Sequence, residues 1–309
     1  MREILIISGK GGTGKTSITA AFAHLSRNSI LCDLDVDAPD LHLLLQPDPS
    51  PATPFVGGFK AAILEEKCSA CGQCREMCQF EALDSDEGKF RVNPLRCEGC
   101  GVCVAFCPEK AITFESQPCG EWHISHTRFG PLVHAQLYPG EENSGKLVAL
   151  LRKEAKNLAE SKGADLVISD GPPGIGCPVI SSISGQDLAV IVTEPTPSGL
   201  HDLIRAVELC NHFSLPVAVI INKQDLHEQM ARDVRMFCHE KNLSVAGELP
   251  FDRRFVNAMV QGQALTEYME SETTRALKAA WERVVSIAES TKTNKVRRNR
   301  EQIINSSTL

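Results

Sequence analysis

Two cysteine strings of identical spacing follow one another in this chain. Residues 68–83 read CSACGQCREMCQFEAL and residues 97–112 read CEGCGVCVAFCPEKAI. Each is C-x2-C-x2-C-x3-C. Four thiolates at those intervals fit one iron–sulfur cluster, and the tandem pair fits two [4Fe–4S] clusters. A segment this short cannot build a large apolar core, so its ligands must staple it. Zinc ribbons also use C-x2-C pairs, but two four-cysteine strings are not their usual form. Eight of the 13 cysteines are taken up in this way. That points to metal in a reducing compartment, hence the cytoplasm. Cys32, Cys119, Cys177, Cys210 and Cys238 lie outside the repeat and read as small buried hydrophobes, Cys177 also as a redox-sensitive thiol.

A second motif lies upstream. Residues 9–16 read GKGGTGKT, the pattern Gly9-x4-Gly14-Lys15-Thr16 of a phosphate-binding loop. It follows an apolar run, Glu3–Ser8, that reads as a buried strand. It precedes Lys15–Arg27, which reads as a helix, and this is the context the motif requires. The backbone of Gly9, Lys10, Gly11, Gly12, Thr13 and Gly14 would turn N–H groups toward phosphate oxygens, at a helix start that continues through Ser17. Lys15 would reach the β- and γ-phosphates, and the Thr16 hydroxyl would ligate Mg²⁺.

Downstream, apolar strands alternate with helical periodicity. Strands are expected at 29–34, 164–169, 187–193 and 217–221, and helices at 146–161, 200–213, 228–241 and 273–290. Near-continuous apolar strands between helices predict an α/β fold, a parallel sheet covered by helices on both faces. The proline-rich stretch 46–58 reads as a connection. The nucleotide domain is therefore expected in two pieces, 1–55 and 118–290. A small α+β cysteine domain is inserted at 56–117, and 291–309 forms a polar, partly basic tail that frays. The net charge of −7 argues against nucleic acid as a general partner. No stretch approaches the length of a membrane span, and the tail lacks the bulky apolar anchors of a membrane-surface helix.

The loop carries a second lysine, Lys10, at the start of KGGTGKT. This resembles the deviant Walker A ATPases, the MinD, ParA and Mrp family. The inserted cysteine strings and the stretch GPLVHAQLYPGEENSGKLV (130–148) are similar to the cobyrinic acid a,c-diamide synthase-like members of that superfamily. The resemblance implies a homodimer, or a heterodimer with a related ATPase, in which Lys10 touches the partner's nucleotide. It implies that Asp35 in LCDLDVD orients the attacking water and that Asp170, closing ADLVISD, holds Mg²⁺ through water. Asp33 would support the metal shell. Asn222, Lys223, Pro250 and Phe251 would frame adenine. Asn222-Lys223-x-Asp225 also spells the guanine-reading NKxD, so the base stays open between ATP and GTP, with ATP favoured by the two-lysine loop.

The insert resembles bacterial two-cluster ferredoxins, in which the fourth cysteine of each string ligates the other cluster. Carried over, one cluster takes Cys68, Cys71, Cys74 and Cys107, and the other takes Cys97, Cys100, Cys103 and Cys78. Gln79 stands where proline is usual after Cys78, whereas Pro108 follows Cys107. The leading expectation is an ATPase that couples dimer closure to electron transfer toward an unidentified redox protein. The same resemblance also admits iron–sulfur assembly of the Mrp type, or a MinD-like positioning or redox-sensing switch.

Overall fold

A computed structural model of the protein describes the backbone of residues 1–86, 88–141 and 144–306, and the side chains of those residues as far as 291. The chain opens with β1 (Arg2–Ser8), α1 (Lys15–Leu25), β2 (Ser29–Asp33) and α2 (Leu41–Leu45). It continues through β3 (Thr53–Ile63), α3 (Gln73–Met77), β4 (Leu83–Asp86), β5 (Lys89–Val92), α4 (Val102–Ala105), β6 (Ile112–Thr127) and β7 (Gly130–Leu137). Then come α5 (Ser144–Lys162), β8 (Leu166–Pro173), α6 (Cys177–Ile183), β9 (Leu188–Thr193), α7 (Pro197–His212) and β10 (Val217–Ile221). The last elements are α8 (Glu228–Glu240), β11 (Ser244–Glu248), α9 (Arg254–Val260), α10 (Leu265–Tyr268) and α11 (Glu272–Ser306).

These elements form two compact units. The first comprises Met1–Pro51, His123–Ala135 and Ser144–Leu309, and the second Ala52–Trp122 and Gln136–Asn143. The second unit is thus wider than 56–117 and takes in part of the 130–148 stretch.

In the first unit the strands run β11-β10-β9-β1-β8-β2-β7. Every neighbouring pair among them with a defined register is parallel. Their composition explains it: Ile4–Ile7 of β1 and Leu188–Val192 of β9 are wholly buried, as strands covered on both faces must be. Each such side chain taken from water contributes about 1.5–3 kcal/mol. Across one face, Phe22 of α1 packs on Trp281 of α11 with ring centroids 4.9 Å apart. Parallel pairing puts the carboxyl ends of β1, β2, β8, β9 and β10 at one edge, where ligands bind in open α/β sheets. The register opposes Asp33 to Asp170 and Ile6 to Asp170, so the two acidic strand ends meet beside the loop after β1.

Two segments differ from the sequence reading. The 46–58 connection becomes strand from Thr53 onward, and Pro54 is tolerated because β3 is an edge strand. The last helix runs past 290 to Ser306, since no glycine or proline interrupts 291–306. The side chains of the basic cluster Lys295, Arg297, Arg298 and Arg300 lie outside the described residues. Among the described residues, no helix is long and apolar enough to cross a membrane.

In the second unit β3 pairs antiparallel with β6, and β4 with β5. The sequence duplication is repeated in the backbone. Gly72 and Gly101 adopt φ of 81° and 73° before α3 and α4. Glu81 and Lys110, equivalent residues three after the last cysteine of each string, both adopt φ of 50°. The amides of Cys68 and Cys97 donate to the carbonyls of Leu64 and Asn93, each over 3.1 Å.

The first unit also holds a stack of imidazoles. His134 lies 5.0 Å from His123 and 6.2 Å from His42, ring centre to ring centre, and its Nε2 meets the Ser125 hydroxyl at 2.9 Å. Burial, and then the two neighbouring rings, press the His134 pKa from 6.5 down to about 4. Between those values the unfolded chain binds the extra proton, so stability is intact above the upper one and falls as the medium is acidified. His134 is expected to cost the fold about 2 kcal/mol on going from pH 7 to pH 5. Urea unfolding at the two pH values measures this, and His134→Gln should show a drop smaller by that amount.

Candidate functional site

The loop between β1 and α1 is built as a phosphate cradle. Gly12 and Gly14 have φ of 79° and 92°, a region that side chains disfavour. A Cβ on Gly14 would also stand 2.5 Å from the Asn222 Nδ2. The Ile18 amide donates to the Gly14 carbonyl at 3.0 Å, so α1 begins directly at the loop and its N-terminal amides face the same space.

Asp170 gathers the polar side chains beneath that cradle. Its Oδ2 accepts from the Thr16 hydroxyl at 2.8 Å and pairs with Lys15 Nζ at 3.0 Å, while its Oδ1 accepts from the Thr19 hydroxyl at 2.8 Å. Asp35 stands 3.8 Å from Lys15 Nζ. Burial works against the Lys15 charge, but the carboxylates of Asp170, Asp33 and Asp35 outweigh it and raise its pKa. Asp33 is raised well above the carboxylate range by burial and then by Asp170, with Lys15 opposing. Burial likewise raises Asp35, against the pull of Lys15. Asp170 and Asp35 thus stand on either side of the Lys15 ammonium, at 3.0 and 3.8 Å, with the Thr16 hydroxyl on Asp170.

Asp33 is held by the backbone of the segment that follows it. Its two oxygens accept the backbone N–H groups of Asp35, at 3.1 Å, and Leu41, at 3.2 Å. It therefore shapes the segment carrying Asp35 and starts α2. Asp37 and Asp40 are exposed, as loop carboxylates should be.

Asn222 and Lys223 also serve the cradle. Asn222 is 5% exposed and donates to the Thr13 carbonyl at 2.8 Å. Lys223 Nζ donates to the Gly12 carbonyl at 2.9 Å. Of the residues expected around the base, Phe251 is exposed and Pro250 half-buried. The Phe251 amide donates to Asp225 Oδ1 at 2.6 Å, which ties the segments after β10 and β11 together and commits one oxygen of the NKxD carboxylate. Ser17 is half-buried, its hydroxyl 3.5 Å from the Met259 sulfur.

Lys10 is turned onto its own chain. Its Nζ lies 2.7 Å from Glu194 Oε1, 3.0 Å from the Ser198 hydroxyl and 3.3 Å from the Thr196 hydroxyl. Glu194 and Thr19 carry no motif. Thr19 was legible only as the residue one helical turn after Lys15, and Glu194 only as an acid at a strand end.

Eight of the nine cysteines of the second unit, all but Cys119, gather around two cavities. One is lined by Cys68, Cys71, Cys74 and Cys107 with Ile63, Phe90 and Ile112. The other is lined by Cys78, Cys97, Cys100 and Cys103 with Phe80, Leu83 and Phe114. All are free thiols. The Ala82 amide donates to Cys78 Sγ at 3.4 Å and the Ala111 amide to Cys107 Sγ at 3.3 Å, the same contact in both halves. Burial, and to a lesser degree the neighbouring thiols, raise the pKa of Cys74 and of Cys103. Among the described residues no three His, Cys, Asp or Glu converge on a point for a single ion. A four-iron cluster asks for something else, one thiolate per iron spread around a cube. Four cysteines around each cavity, among mostly apolar neighbours and with a backbone N–H aimed at the Cys78 or Cys107 sulfur, fit that group. Of the remaining cysteines, Cys32, Cys119, Cys210 and Cys238 are buried, and burial pushes Cys210 up to about 12 and Cys238 to about 11. Cys177 is exposed at the start of α6.

Residues 4–265 match the CobQ/CobB/MinD/ParA nucleotide binding domain. The uncharacterised protein MJ0578 of Methanocaldococcus jannaschii is 36% identical over 229 residues, 73% of this chain and 79% of that protein. The septum site-determining protein MinD of Pyrococcus horikoshii, solved in complex with Mg-ADP, has a TM-score of 0.57 at 18% identity, covering 94% of this chain and 98% of that one. At that identity the likeness is one of fold. A stretch of 62 residues is 37% identical to subunit IorA of the indolepyruvate oxidoreductase of Methanothermobacter thermautotrophicus, 20% of this chain and 10% of that subunit.

Proposed function

Because the chain belongs to the CobQ/CobB/MinD/ParA nucleotide-binding family, we propose that it is an ATP-hydrolysing iron–sulfur protein in which nucleotide-driven dimer closure governs electron transfer through two [4Fe–4S] clusters. The observation that carries this reading is the order of the chain. It leaves β2 through the segment that holds Asp35, forms α2, and enters the cysteine unit at Ala52. A nucleotide-sensing segment and an electron-carrying unit are thus consecutive in one polypeptide.

The geometry supports the following roles. The loop amides of residues 9–14 bind phosphate oxygens, and Lys15 moves its charge from Asp170 to the β- and γ-phosphates. Thr16 and Asp170 would hold Mg²⁺, which when bound neutralises charge on those phosphates. Asp35 positions the attacking water, and Lys10 of a second chain stabilises the transferred phosphoryl group. Asn222 and Lys223 hold the cradle rigid from below, and Pro250 and Phe251 flank the base. Cys68, Cys71, Cys74 and Cys107 would hold one cluster and Cys97, Cys100, Cys103 and Cys78 the other, each supplying one-electron chemistry when bound.

Protein purified without oxygen should carry iron and sulfide for two [4Fe–4S] clusters per chain. Potentiometric titration with and without an ATP analogue tests the coupling. The expected shift is at least about 60 mV, a tenfold change for a one-electron couple. Potentials indifferent to nucleotide, together with a hydrolysis rate indifferent to cluster reduction, would leave a plain ATPase.

A further inference from the structure

Lys10 has no hydrogen to spare. An ammonium has three N–H donors, and three acceptors of its own chain stand around it: the Glu194 carboxylate at 2.7 Å, the Ser198 hydroxyl at 3.0 Å and the Thr196 hydroxyl at 3.3 Å. These acceptors are themselves fixed. Thr196 caps α7 by accepting the Gly199 amide at 2.9 Å, and Glu194 follows directly on β9. Helix α7 also lies hard against the loop, since a Cβ on Gly9 would stand 2.3 Å from Asp202 Cβ.

Glu194 faces two lysines. Its other oxygen, Oε2, pairs with Lys223 Nζ at 3.0 Å, and that amine is tied to the Gly12 carbonyl at 2.9 Å. One carboxylate is therefore matched by two ammonium groups, so one positive charge can leave without stranding a buried anion. The two lysines are not equivalent. The Lys223 amine is fixed to backbone, on the Gly12 carbonyl at 2.9 Å. Lys10 is held only by side chains and is the more exposed of the two, 30% against 25%, while Glu194 is at 15%.

We propose that Glu194 is a positioning residue that holds Lys10 on its own subunit and yields it to the partner's nucleotide when two chains close, while Lys223 keeps the carboxylate paired. The inference rests on the reading of Lys10 as acting across a dimer. It adds a threshold to that reading: closure must outbid Glu194, Thr196 and Ser198 for the same ammonium, so a partner lacking bound phosphates cannot extract it. Burial alone would raise the Glu194 pKa, but the hydrogen bonds from Lys10 and Lys223 lower it below the usual carboxylate value, which keeps the latch charged at neutral pH.

The test is sedimentation of the full chain, purified without oxygen, with AMP-PNP. Glu194→Gln keeps the shape but removes the charge, and should tighten the dimer roughly tenfold, about the worth of one charge-assisted hydrogen bond. Ser198→Ala removes a contact without touching Lys223 and should act in the same direction to a smaller extent. In a Lys10→Ala background Glu194→Gln should have no effect, which a merely structural role could not produce. A dimer constant unchanged or weakened in both single variants, or an equal change with and without Lys10, overturns the latch. Parent protein that stays monomeric with AMP-PNP overturns the dimer reading itself, and the latch with it.

Discussion

Lys10→Ala is expected to bind ATP within a few-fold of the parent and to hydrolyse it roughly 10³–10⁵ times more slowly, the range measured for a transferable cationic finger. The contrast with Lys15 motivates the expectation. Lys15 is 6% exposed and sits on Asp170 at the base of the cradle, so its loss removes binding as well as turnover. Lys10 lies on the rim, and its removal still leaves Glu194 paired with Lys223 at 3.0 Å, so the loop keeps its shape. Subunit mixing separates action across a dimer from action within one chain. A Lys10→Ala subunit has an intact Asp35, and an Asp35→Asn subunit has an intact Lys10. If the lysine crosses, the mixed dimer owns one complete site and recovers a measurable share of the parent rate. If it acts at home, every site in the mixture is defective and the rate stays at the level of the separate variants.

The parts of this site that were legible in the sequence are those whose geometry is local. A phosphate loop is a turn between a strand and a helix, so its residues are neighbours in the chain. Gly9 to Thr16 could be assigned without knowing what lies around them. Asp170 was legible because it follows an apolar strand run, and parallel pairing sets it opposite Asp33 at the end of β2; Asp35, two residues beyond that strand end, was reached only through the family resemblance. Glu194 was not legible. Its role exists only because β9 and β10 deliver Glu194 and Lys223 to the same side of the loop, an encounter between residues more than 180 positions apart in sequence from Lys10. Asn222 and Lys223 show the same limit, for nothing in the sequence revealed that this strand-end pair is also tied to the loop carbonyls. The long strands β3 and β6 escaped because they are largely half-exposed, with glycine and proline among their residues, and so lack the unbroken apolar run that revealed β1 and β9.

The cysteine unit offers the second large effect, because each of its two cavities is lined by cysteines of both strings. Cys107 lies at the end of the second string yet lines the cavity of the first, and Cys78 does the reverse. Cys107→Ala is therefore expected to lose the cluster of Cys68, Cys71 and Cys74 and to keep the other, halving the iron bound per chain. Double variants make the assignment unambiguous. Adding Cys71→Ala to Cys107→Ala removes a second ligand from a cluster already lost, and iron should stay near half. Adding Cys100→Ala instead strikes the surviving cluster, and iron should fall close to zero. Uncrossed ligation would exchange the two outcomes. The survivor is expected to be more labile than in the parent, since β3 and β6 supply walls to both cavities, Ile63 and Ile112 to one and Ala61 and Phe114 to the other. Ladder pairs Ile63↔Ile112 and Ala61↔Phe114 make those walls one sheet, so slack at one cavity is felt two residues along at the other. Iron release to a chelator, followed by absorbance, should accordingly run faster in Cys107→Ala than for either cluster of the parent.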